Sequence, residues 1–151
     1  MTHEEERYTF SSLMTLLISS ETKLKELYET VTEATGDTKL KSILSEFGKN
    51  GSKRLEMMQK ARRESVVEMM LQPITGLKLA ELGSKIQGAI EDTSVSELQK
   101  LIILEDTVSE LYARASPGTM QISADTGQLL MVLSRESMER KHELERYVGP
   151  S

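Results

Sequence analysis

One stretch of helix occurs twice in this chain, and each copy places a glutamate inside an apolar stripe. Residues 21–28 read E-T-K-L-K-E-L-Y, and residues 105–112 read E-D-T-V-S-E-L-Y. Both have Glu, an apolar residue three later, then Glu-Leu-Tyr. Leu-Ser follows each copy, at Leu44-Ser45 and Leu133-Ser134, and then a charged helix. An internal repeat constrains a fold strongly, because each unit has to bury its apolar face against a neighbour. Two similar helical hairpins facing each other are expected.

With 151 residues the chain suits one domain with a real core. Aromatics are 4% and Trp is absent, so the core must be built from Leu, Ile, Val and Met. The net charge is −5 and the pI about 5.2, which argues against nucleic acid or an anionic membrane as partner. The basic run Lys60-Ala-Arg-Arg63 reads as a solvated face. Cysteine is absent, which removes disulfides, thiolate metal sites and cysteine nucleophiles. The acidic opening M-T-H-E-E-E-R has no signal-type apolar region, and no run of about 18 apolar residues could span a bilayer. A cytoplasmic location is expected.

Helical periodicity predicts four long helices at about 4–34, 38–71, 94–115 and 120–147. Acidic residues in the first turn of the first would favour its dipole. Gly36-Asp37 separates it from the second. The crossover, 73–93, contains a short helix within 75–93 bearing Leu77, Leu79, Leu82, Ile86 and Ile90, and Pro73 bends the chain into it. Ser94-Val-Ser-Glu97 matches a capping box for the third helix, and Ser116-Pro117-Gly118 reads as the turn that ends it. No β pattern competes. The expected fold is an all-α four-helix bundle with one long crossover, in a single domain covering 1–151.

At ~100° per residue, Glu21 lies between Leu17 and Leu24, a heptad before Tyr28. Glu105 lies between Leu101 and Val108, a heptad before Tyr112. Both glutamates face inward by pattern, where a charge needs a partner. On the fourth helix the stripe runs through Leu133, Ser137, Arg140 and Leu144, so Arg140 points inward. Counting from Leu44 as from Leu133 puts Gly48 and Gly51 at the matching places on the second helix. The candidate core polar cluster is therefore Glu21, Glu105, Arg140, Tyr28 and Tyr112. Arg140 would pair with Glu21, Glu105 or both, and the tyrosine hydroxyls would bond a carboxylate across the bundle. The literal E-x-x-H, Glu139 to His142, lies about 130° and 170° from the stripe centre and reads as solvent-exposed.

These residues resemble the ferritin-like superfamily, and within it rubrerythrin-like proteins. The duplicated Glu-plus-Tyr pattern, the paired hairpins and the crossover carry the resemblance. It implies a di-iron centre in the bundle core, with a Glu from each of helices one and three and a Glu-x-x-His from each of helices two and four. Carry-over succeeds only at Glu21 and Glu105, the candidate metal ligands; Gly48, Gly51, Ser137 and Arg140 stand where the other ligands belong. The resemblance thus implies a bundle that has lost its metal, with Arg140 supplying the charge, and that serves as a non-enzymatic structural or partner-binding protein without a cofactor. The alternative is an iron- or manganese-binding oxidoreductase that reduces peroxide or handles iron through Glu21 and Glu105. A homodimer is expected, and Met57, Met58, Met69, Met70 and Leu71 offer an apolar surface for a protein partner. A hydrolase has no support, since neither His lies on an apolar face and G-x-S-x-G is absent.

Overall fold

The computed structural model describes residues 6–65, 69 and 71–148. Among these the protein is all-helical apart from one short strand pair. The elements are β1 (Arg7–Thr9), α1 (Phe10–Ala34), α2 (Thr38–Glu64), β2 (Pro73–Thr75), α3 (Ala80–Glu91), α4 (Glu97–Met120) and α5 (Ala124–Glu145). Helix α1 packs on α2 and α4, α4 on α5, and α3 on α4, whereas α2 and α5 barely touch. The two Glu-bearing helices, α1 and α4, are thus the shared centre, each flanked by its own hairpin partner.

Among the described residues, four of the five helix starts have a local cause. Thr9 and Ser12 form a reciprocal capping box on α1. Asp37 accepts from Leu40 N at the start of α2, as Gly36-Asp37 led us to expect. Ser123 accepts from Thr126 N at α5. Helix α4 is capped by Ser96, which accepts from Gln99 N, and not by Ser94, whose hydroxyl is held by Asp92. Helix α3 has no cap of its own. Glu6, distant in sequence but brought alongside by the β1–β2 pairing, supplies one, accepting from Leu79 N at 2.6 Å and Ala80 N at 3.1 Å. Lys100 donates to Ile90 O and Arg114 to Lys78 O, so three side chains clamp the crossover.

Several expectations need correction. Helix α1 starts at Phe10, with no acidic residue in its first turn, because residues 7–9 pair antiparallel with 73–75. Helix α2 ends at Glu64, where Ser65 turns extended at ψ 138°; in the rest of the expected helix Met69 is helical and Leu71 lies in a turn, and residues 66–68 and 70 lie outside the described residues. Ser116-Pro117-Gly118 is no turn. Helix α4 runs through it to Met120 despite the missing proline N–H. Buried Ser116 donates to Gly127 O at 2.7 Å, which ties this end of α4 to α5. A Cβ on Gly118 would lie 2.8 Å from the Ile74 side chain, and one on Gly127 would strike the Met120 backbone at 2.8 Å. The two glycines thus admit β2 and the α4–α5 turn to close contact. The expected methionine surface is also mixed: Met58 is fully buried, Met57 and Leu71 are exposed, Met69 is half-buried, and Met70 lies outside the described residues.

Candidate functional site

The apolar stripes of α1 and α4 bring Glu21 and Glu105 to the centre of the molecule, where both are 0% exposed. Four further polar side chains meet them. Glu21 accepts from Arg54 Nη2 of α2 at 3.1 Å and from the Tyr112 hydroxyl of α4 at 2.6 Å. Glu105 accepts from Arg140 of α5, through Nε at 2.6 Å and Nη2 at 3.3 Å, and from the Tyr28 hydroxyl of α1. Each glutamate therefore takes an arginine from its own hairpin and a tyrosine from the other. With both carboxylates ionised the charges cancel, which is the condition for keeping four charged groups in a core.

The five residues expected to form a polar cluster are together, and Arg140 pairs with Glu105 rather than with Glu21. Arg54 completes the set and was not foreseen. Equating Gly48 and Gly51 with Ser137 and Arg140 places the two hairpins three residues out of register. The structure equates Gly51 with Ser137 and Arg54 with Arg140. A sequence signal for this exists: the step Leu44, Gly51, Arg54, Met58 repeats Leu130, Ser137, Arg140, Leu144, and all eight residues are buried. Glu139 and His142 are exposed, as their phase predicts.

The two halves differ in detail. Arg140 Nη2 also donates to Ser137 Oγ at 3.0 Å. Arg54 has a glycine where Arg140 has that serine, and its Nε is buried without a hydrogen-bond partner. A Cβ at Gly51 would sit 3.4 Å from Arg54 Nη2 and 3.6 Å from Lys25, ordinary contacts, so the backbone does not demand glycine there.

Protonation follows the same geometry. Burial pushes the Glu21 carboxyl above its ordinary value; Arg54 and Tyr112 oppose the rise, and the Glu105 charge adds to it. Burial works against the charge on Arg140, but the Glu105 carboxylate outweighs it and holds the guanidinium above its ordinary value. Burial and the facing carboxylates push both tyrosine hydroxyls well above the usual range, so each acts only as a donor. This cluster can hold charge and fix geometry.

No family model, no curated protein and no solved structure matches the chain.

Proposed function

We propose that this protein is a ferritin-like, rubrerythrin-like four-helix bundle made of α1, α2, α4 and α5, with α3 in the crossover. Two glutamate–arginine pairs stand where a di-iron centre would be, and the protein acts as a non-enzymatic structural or partner-binding module. One observation carries this reading: each inward glutamate is already saturated by a guanidinium from its own hairpin and a tyrosine from the other.

The donor set does not fit iron or manganese. Such a site needs several oxygen and imidazole ligands with free lone pairs converging on open space. Here a divalent cation would face two buried guanidiniums, and among the described residues no group of three His, Asp or Glu gathers. No reaction step is derived through a metal. Among the described residues no helix is long and apolar enough to cross a membrane.

Elemental analysis tests the reading, on protein purified without chelator and again after incubation with ferrous iron or manganese. Metal at background, with an unchanged melting temperature, is expected, since an ion that binds only the folded state would raise it. Near-stoichiometric metal that disappears in Glu21→Ala and Glu105→Ala would overturn it in favour of the metal-binding oxidoreductase.

A further inference from the structure

The register that aligns Glu21 with Glu105 and Arg54 with Arg140 also aligns two surface creases, one along each hairpin. The α1–α2 crease is lined by polar residues, among them Glu29, Glu33, Ser45, Lys49 and Ser52. In the α4–α5 crease the matching positions carry Ala113, Pro117, Met131, Arg135 and Met138. At these five places two glutamates and two serines are matched by apolar residues and the lysine by an arginine, whereas Thr32 and Gly48 are matched by Ser116 and Ser134. Met120 also lines this open groove, whose volume is about 440 Å³.

The groove floor is chemically silent. Ser116 Oγ is spent on Gly127 O, and Ser134 Oγ and Ser109 Oγ are bonded to each other's carbonyls. Arg135, at the edge, is exposed and makes no ion pair among the described residues. Met131 is 48% exposed. Residues 131 to 138 span about 10 Å of helix, or two turns. That is short for a protein interface, which takes about 800 Å² from each partner. The volume lies within the range of small-molecule sites, roughly 300–1,000 Å³.

We propose that the α4–α5 crease binds a medium-chain carboxylate. Its alkyl chain lies along Met120, Met131 and Met138, whose flexible thioethers adapt to an unbranched chain. Its head group meets the Arg135 guanidinium, which suits a carboxylate in a two-point contact. The site is on the surface and does not depend on the buried charge cluster.

The test is titration with decanoate, below its micellar range, of protein labelled at the methionine methyls, with decyltrimethylammonium as the oppositely charged control. Saturable shifts of the Met131 and Met138 methyls are expected with decanoate and not with the control. Arg135→Gln should weaken decanoate about tenfold, the size of one charge-assisted contact. Met131→Ser with Met138→Ser, which restores the polarity of the other crease, should abolish binding. If that double variant melts early, Arg135→Gln alone decides. The proposal is overturned by no saturable shift, by equal binding of the two amphiphiles, or by indifference to Arg135→Gln. Methyl shifts that follow protein concentration without ligand would overturn it too, assigning the groove to a second copy of the chain.

Discussion

The two halves of the buried cluster are built from the same parts and satisfied to different degrees. Around Glu105 the arginine reaches the carboxylate with two nitrogens and a serine with one of them. Around Glu21 only one nitrogen of Arg54 makes contact, at 3.1 Å, and Nε is left over. One residue accounts for part of the difference, since Gly51 stands where the other hairpin has Ser137. A buried ion pair holds its place only when geometry and the remaining donors are also satisfied. The α4–α5 half meets that condition more fully, and it is the half in which the helices pack together most closely. Burial holds the Glu21 carboxyl above its ordinary value, and Arg54 opposes the rise.

The largest expected effect comes from breaking the better half. Arg140→Met strands Glu105 in the core and should cost about 3–5 kcal/mol, measured by chemical denaturation. Adding Glu105→Leu should return part of that loss, because no lone charge then remains. An Arg140→Met protein as stable as its double variant would break the comparison.

Arg54→Met should cost less, and by an amount that depends on pH. Arg54 lowers the Glu21 pKa, so its removal lets the carboxyl rise further above the unfolded value of about 4.3. The folded state then binds the proton more tightly than the unfolded state. Stability is fully present below the unfolded pKa and is lost as pH rises through the folded one. Denaturation of Arg54→Met at pH 5 and pH 8 should show the variant closer to wild type at the lower pH. Glu21→Gln, added to it, should flatten that dependence.

Gly51→Ser is the smallest and the most specific change. It gives Arg54 Nη2 the hydroxyl that Ser137 gives Arg140, and it removes a mid-helix glycine. A gain of about 1 kcal/mol is expected. A loss would show that the space beside Arg54 is needed for something other than a hydroxyl.

Much of this cluster was legible in the sequence. Glu21, Glu105, Tyr28 and Tyr112 follow from an exact heptad in a duplicated stretch, and Arg140 from its place between Ser137 and Leu144. Arg54 was hidden because the second helix is weakly marked. Phe47 and Leu55 look like stripe residues but are only half-buried, while Gly51 and Arg54, which look like breaks, are buried. Apolar type is a good guide to burial until a charge has a partner inside. The elements at the start of α1 and in the crossover depended on long-range contacts that no local pattern announces. Glu6 capping α3 joins residues far apart in the chain, and the β1–β2 pairing exists only because the crossover returns beside Thr9. Pro117 read as a helix end because proline removes a donor, yet α4 continues through it to Met120, and Ser116 beside it is tied to Gly127.

The most direct measurement is a pair of double-mutant cycles, Glu105→Leu with Arg140→Met and Glu21→Leu with Arg54→Met, each read as the stability of the two single variants and the double. A coupling of about 2 kcal/mol or more is expected for the Glu105 pair, with a smaller one for the Glu21 pair. Additive losses in both cycles would contradict the account: the inward glutamates would not then depend on their arginines, and the charge in this core would be balanced by something else.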